Sequence, residues 1–317
     1  MANMSSANTY FILVGIPEIG NFKYLYALTI IVVYMTIMVL SFTILYVTFT
    51  EEALHEPMYI FISNLMFGEM YGSTALMPKL VIDLLSGSYT IPFVGCLAQG
   101  FFLQSFPCVE IFTFTAMAYD RYLAVGHPLR YPMLMTNKMA LKILLKIWVY
   151  VLVGIGAVVI IASRQILCGV EINSMFCETI SLTHLSCGDT TLSVAFGFTW
   201  TLIMMVGCVL VVKYCYVRTF LVCLRISQDA HQKAVHTLVT HIIAFSTFMT
   251  SALFIVFRYK LKGESLSVVS HIVTSVTGTL SFALNPIIYG IRTEALRTKI
   301  LQKLLRNNIE LLGRGKN

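Results

Sequence analysis

Met117-Ala118-Tyr119-Asp120-Arg121-Tyr122-Leu123-Ala124-Val125 closes an apolar run that begins near residue 93 and sets an acid and a base side by side at its end. A helix crosses the hydrocarbon of a bilayer in ~20 residues, so the run is long enough to span it. An Asp-Arg pair at that depth is expensive unless each charge answers the other, and it reads as a pair held at the membrane boundary. Working outward, similar runs lie at 24–49, 58–85, 138–163, 190–223, 236–258 and 266–291, which makes seven.

Composition agrees with that reading. The 317 residues are 57% hydrophobic and 12% charged, against ~45–50% and ~25% in soluble domains. Backbone polar groups in lipid must be paired within the segment, which favours helices, and the ~10-residue alternating segments of a membrane barrel are absent. The expected architecture is an all-α membrane protein: a seven-helix bundle over 24–291, an extracellular N-terminus at 1–23 and a cytoplasmic tail at 292–317. Within that tail, residues 292–306 put Ala295, Ile300, Leu301, Leu304 and Leu305 toward one side and cations toward the other, the pattern of an amphipathic helix lying along the inner leaflet.

Charge sets the orientation. With the first loop in the cytoplasm, sixteen of the 22 basic residues fall inside, leaving Lys23, Lys79, Arg164, Arg258, Lys260 and Lys262 elsewhere. This accounts for the net charge of +7 without nucleic acid, since no basic patch alternates with stacking aromatics. The first ten residues lack a cleavable signal pattern, so the first span is expected to direct insertion. Asn3-Met4-Ser5 then places a glycosylation acceptor, Asn3, on the outer side.

Of eight cysteines, Cys96, Cys168, Cys177 and Cys187 lie outside, where disulfides persist. One bridge should tie the segment 164–189 to the third span and another should close the segment on itself, although spacing leaves three pairings open. Zinc is disfavoured, because no two of these cysteines are spaced as CxxC and His184 stands alone near them.

The stretch 117–125, followed by His127-Pro128-Leu129-Arg130-Tyr131, resembles the signature of vertebrate odorant receptors, a rhodopsin-like G-protein-coupled family. Leu54-His55-Glu56-Pro57-Met58-Tyr59 before the second span and Asn285-Pro286-Ile287-Ile288-Tyr289 in the seventh extend the likeness over nearly the whole chain. His-Glu-Pro-Met-Tyr is similar to the fish-like class I group. The chain departs from the family at Leu40-Ser41, where Gly-Asn is usual, at Glu69, where Asp is usual, and at Phe248-Met249-Thr250-Ser251 in the sixth span. Under this likeness the expected disulfides are Cys96–Cys177 and Cys168–Cys187.

The resemblance assigns a role to each buried polar residue. Asp120 restrains Arg121, which on activation is released to help form the G-protein cavity, with Tyr122, Tyr216 and Tyr289 around it. Pro286 removes one backbone bond and permits a hinge, and Asn285 is placed to satisfy the freed carbonyl. Glu110 lies eleven residues before Arg121, or three helical turns plus 20°, so both face inward. Glu69 and Glu110 cannot both stay ionised without a cation, so one is protonated or an ion bridges them. The resemblance favours sodium, with Ser41 and Asn285 as neighbours.

The likeness also implies a ligand pocket in the outer half of the bundle. On the third span Leu103, Gln104, Pro107, Cys108 and Ile111 form one inward strip. Trp200 and Met204 continue it on the fifth, Ala252, Leu253 and Val256 on the sixth, and His271, Ser275 and Gly278 on the seventh. Lys260, among the cations Arg258, Lys260 and Lys262, matches the pocket-facing tip of the sixth span and suits an anionic, water-soluble ligand.

The function expected is therefore an odorant receptor that needs no cofactor, sits in the plasma membrane of olfactory cilia and activates a stimulatory, olfactory-type G protein. A seven-helix receptor for an endogenous lipid, peptide or metabolite is the alternative. Enzymes are disfavoured: His231, His236 and His241 each turn 140° from the last, no His-Glu-x-x-His or Gly-x-Ser-x-Gly occurs, and two buried glutamates lack a glycosidase cleft. A transporter would need repeats that this chain lacks.

Overall fold

The structure is a computed structural model that describes residues 10–15, 22–224, 228–260 and 282–303. Strand β1 (Tyr10–Leu13) leads into α1 (Lys23–Thr50), a single 3-10 turn (Glu52–Leu54) and α2 (Pro57–Ser86). Strand β2 (Thr90–Pro92) runs directly into α3 (Phe93–Gly126), followed by the one-turn α4 (Tyr131–Leu134) and α5 (Asn137–Ser163). Then come β3 (Glu171–Ile172), α6 (Thr179–Leu185), α7 (Thr191–Cys223) and α8 (Gln228–Lys260). Helix α9 covers 282–292 and α10 covers 294–303. The spans are α1, α2, α3, α5, α7, α8 and α9.

Helix α1 shows how an all-apolar sequence folds against lipid. Ala27, Ile30, Ile37, Ser41 and Ile44 are buried against the bundle, while Leu25, Leu28, Val32, Met35, Val39 and Phe42 are exposed at helical spacing on the other side. Among the described residues, α1, α3, α5 and α7 are long and apolar enough to cross a membrane. Helix α2 is as long, but it carries Glu69, Lys79 and Asp83, two of them wholly buried. The chain spends its charges on the inside of this helix.

Local signals set the ends. Pro57 opens α2 after extended Glu56, and Gly87, in the left-handed region at φ 69°, closes it by donating its N–H to the Asp83 carbonyl. Thr136 caps α5 by accepting from the Met139 N–H at 3.2 Å. Helix α8 begins at Gln228, eight residues before the apolar run at 236. Hydropathy marks only the part of a helix that lies in lipid, and Gln-Asp-Ala-His-Gln-Lys-Ala-Val continues it into water.

One end of the bundle holds a three-stranded sheet, order β2-β1-β3, with β1 antiparallel to β2 and parallel to β3. Composition pointed to no strand here. Phe11 and Leu13 alternate inward and are buried, and Phe11 packs 6.1 Å from the Phe93 ring. Cys96–Cys177 pins the segment after α5 to the top of α3, and Cys168–Cys187 closes that segment, with Cα separations of 5.1 and 5.7 Å. These are the pairs the family likeness implied. Gln99 reinforces the first by accepting from the Cys177 N–H at 2.8 Å and donating to the Ala75 carbonyl at 3.1 Å.

The two bridges close loops of 81 and 19 residues, for which chain entropy gives about 4.5 and about 3 kcal/mol. Replacing both Cys96 and Cys177 by Ala should therefore lower the thermal midpoint of the purified chain more than replacing Cys168 and Cys187, as read by a thiol-independent unfolding assay.

Candidate functional site

Three helices meet at one side-chain amide. Asn285 of α9 donates one Nδ2 hydrogen to Glu69 Oε1 of α2 at 2.6 Å and the other to Glu110 Oε1 of α3. Exposure is 0% at Glu69, 3% at Glu110 and 2% at Asn285, so the cluster is closed off from solvent. Because both hydrogens are used on carboxylates, the amide does not serve the carbonyl freed by Pro286, which corrects the sequence expectation. A carboxylate is the stronger acceptor, and in low dielectric it takes the donor.

The second oxygens, Glu69 Oε2 and Glu110 Oε2, have no partner, nor does Ser41 Oγ of α1. Ile44 lies 3.6 Å from the point where a Cβ on Gly290 would stand. Ser41 precedes Ile44 by three residues, about one helical turn, on α1. Two carboxylate oxygens and a hydroxyl, all buried and unpartnered, are a donor set that fits a hard cation such as sodium.

At the end of the bundle opposite the sheet, Arg121 folds back on Asp120, with Nη2 at 2.5 Å and Nε at 2.9 Å from Oδ2. The other oxygen, Oδ1, accepts from the Tyr131 hydroxyl at 2.8 Å. Asp120 is fully buried while the Arg121 side chain keeps 18% exposure, so the cation can leave for water and its partner cannot. Burial, then the Asp120 charge, push the Tyr131 phenol above its ordinary value, so it remains a donor throughout the neutral range.

Helix α8 joins this region through His241, whose Nδ1 lies 3.2 Å from the Tyr289 hydroxyl with both side chains buried. Tyr216 packs with Tyr122 and Phe245 around Ala118, and its buried hydroxyl has no partner. Tyr122 itself turns outward, reaching His127 Nε2 at 3.3 Å. Beneath, Lys299 and Lys303 of α10 reach Glu51 at 3.3 and 3.1 Å. Hydrogen bonds from Lys303 and then Lys299 pull the Glu51 carboxyl below its usual range. On α10, Leu296 is buried and Ile300 partly so, whereas Ala295 and Leu301 are exposed; Leu304 and Leu305 lie outside the described residues.

In the half of the bundle nearer the sheet, Leu103, Gln104 and Pro107 are half-buried on one side of α3, and Gln104 Oε1 accepts from the Thr179 hydroxyl of α6 at 2.7 Å. Deeper, Cys108, Ile111 and Met204 join the closed core. Trp200 stacks on Tyr150 of α5 at 5.8 Å and fills the hollow left by Gly154, so it faces the fourth span. Ala252 is half-buried and Leu253 is 45% exposed. Val256 and Lys260 lie on α8 with side chains outside the described residues, as are His271, Ser275, Gly278 and Asn3.

Sequence reasoning passed over Tyr131, His241 and Thr179. It also passed over Asn64, which donates to Thr113 at 2.9 Å and accepts from the Trp148 indole at 2.8 Å, tying α2, α3 and α5. The signal available was the depth of Asn64 and His241 inside apolar runs, where polar groups are costly and need partners.

The olfactory receptor family profile matches residues 30–307. The chain is 32% identical over 301 residues to olfactory receptor 6N1 of Homo sapiens, covering 94% of this chain and 96% of that protein. It is also 32% identical to olfactory receptor 52B6 of Homo sapiens, over 90% of this chain and 85% of that protein. Among solved structures, squid rhodopsin superposes with a TM-score of 0.71 at 18% identity, over 89% of this chain and 85% of that one, a likeness of fold.

Tyr131→Phe strands Asp120 Oδ1 in the interior and should cost about 1–3 kcal/mol in thermal unfolding of the purified chain. A phenol whose value is raised by folding contributes fully below its unfolded value and is lost only as pH climbs through the raised one. The effect of the substitution should therefore be constant across the neutral range.

Proposed function

Because the chain belongs to the olfactory receptor family, we propose that it binds a small odorant in the outer half of its bundle and activates a stimulatory, olfactory-type heterotrimeric G protein. It is a multi-pass plasma-membrane receptor and not an enzyme. The finer reading adds an external N-terminus glycosylated at Asn3, residence in olfactory cilia, and class I membership from His55-Glu56-Pro57-Met58-Tyr59.

One observation carries the proposal: Arg121 is closed onto buried Asp120 while Tyr131 occupies the remaining carboxylate oxygen. Release of Arg121 exchanges a short ion pair for water or a partner protein at the cytoplasmic mouth. Tyr289 and Tyr216 supply hydroxyls close by, one shared with His241 and one unpartnered, that can follow the guanidinium. The cluster of Glu69, Glu110 and Asn285, holding a sodium ion or a shared proton, connects α9 to α3 midway and carries movement of the seventh span to the switch.

For the ligand, the half-buried Leu103, Gln104, Pro107 and Ala252, with Cys108, Ile111 and Met204 beneath them, form the apolar floor and wall. The family likeness adds Val256, Lys260, His271, Ser275 and Leu253 to the pocket, whereas Trp200 turns from it toward α5. Gln104, its oxygen committed to Thr179, keeps its amide nitrogen as a donor. Lys260 recommends an anionic, water-soluble ligand.

The test is cAMP production in transfected cells challenged with acids, amines, bile salts and neutral odorants, followed by nucleotide exchange on purified G protein. Arg121→Ala should abolish exchange while the folded chain still reaches the surface. Lys260→Gln should weaken acidic agonists at least about tenfold, the value of one lost charged hydrogen bond, and spare neutral ones. Unchanged responses to every acid would reject the anionic ligand.

A further inference from the structure

One helical turn outward of the carboxylate cluster, each of its three helices contributes to an aromatic plug. Gly72 follows Glu69 by three residues on α2, Phe106 precedes Glu110 by four on α3, and Phe282 precedes Asn285 by three on α9. The Phe106 and Phe282 rings lie 4.8 Å apart, tilted by 34°, and both are buried. A Cβ at Gly72 would stand 2.6 Å from Phe282 Cε1 and 2.8 Å from Phe106 Cγ, so the rings close over that glycine with no space for even a methyl group. Inward of the cluster, the corresponding turns bring Leu65, Phe114 and Tyr289, all buried, and Tyr289 continues through a polar contact to His241.

We propose that Phe106 and Phe282, packed over Gly72, form a gate that closes the outer entrance to the Glu69–Glu110 cation site. The inference rests on the reading of that cluster as a sodium site. A cation leaving water must trade its hydration shell for ligands, and a hydrocarbon constriction offers none, so passage waits until the rings part. The gate has a built-in weak point. Pro286 has no N–H for the carbonyl four residues earlier, which is that of Phe282, so the turn carrying one ring lacks its backbone bond. Movement of the outer half of α9 about Pro286 shifts Phe282 off Phe106 without breaking the helix elsewhere.

The experiment uses the purified full chain in lipid nanodiscs loaded with radiolabelled sodium. Ion retained after rapid desalting is followed in time, and total uptake is read at equilibrium. Glu110→Gln should abolish uptake. Phe282→Ala should leave equilibrium uptake within about twofold of the parent and release the ion about tenfold faster or more, a barrier lowered by one or more factors of ten in rate. Phe106→Leu, which keeps most of the volume, should accelerate release in the same direction and serves if the alanine variant does not fold. Equal release from parent and both variants overturns the gate while leaving the cation site standing. No uptake by the parent at any concentration overturns the cation site and the gate with it.

Discussion

Two carboxylates buried in the middle of a membrane, held by the two hydrogens of one asparagine amide, are the constraint around which this bundle is arranged. Lipid offers no water to a stranded polar group, and attraction between apolar helices is weak when the surroundings are equally apolar. Polar contacts therefore decide which helix sits where. Asn285 fixes α9 against α2 and α3, Asn64 fixes α2 and α3 against α5 through Thr113 and Trp148, and His241 fixes α8 to α9. Helix α3 takes part in the first two of these contacts and is the most enclosed of α1, α3, α5 and α7.

The two ends of the molecule are held by different forces. At the end that carries the sheet, two disulfides and a strand ladder, with Phe11 and Leu13 buried beneath it, hold the loops by covalent and backbone bonds. At the other end, the contacts are ion pairs and single hydroxyl bonds: Arg121 with Asp120, Tyr131 with Asp120, Lys299 and Lys303 with Glu51. Bonds of the second kind are weak and reversible. The two ends thus differ in how readily their contacts can rearrange.

Much of this was legible in residue order because lipid imposes simple rules. Apolar runs marked the helices, and the eleven-residue separation of Glu110 and Arg121 marked their shared inward face. What stayed hidden depended on partners distant in sequence. Tyr10–Leu13 is a strand only because β2 and β3 lie beside it, and four apolar residues in a row carry no period of their own. Asn285 could serve a carbonyl or a carboxylate, and only the approach of α2 and α3 decides. Trp200 has an inward spacing on α7, yet the absence of a side chain at Gly154 lets its ring settle toward α5.

The most direct measurement compares thermal unfolding of purified Asn285→Ala and Glu110→Gln with the parent chain. Truncating the amide leaves two interior carboxyl groups without a donor and should cost about 3 kcal/mol or more, at about 1.5–3 kcal/mol for each hydrogen bond to a charged group. Glu110→Gln keeps an acceptor oxygen and removes one of the opposed charges, so its midpoint should equal or exceed the parent's. An Asn285→Ala chain as stable as the parent would contradict the account, since the amide would then hold nothing together.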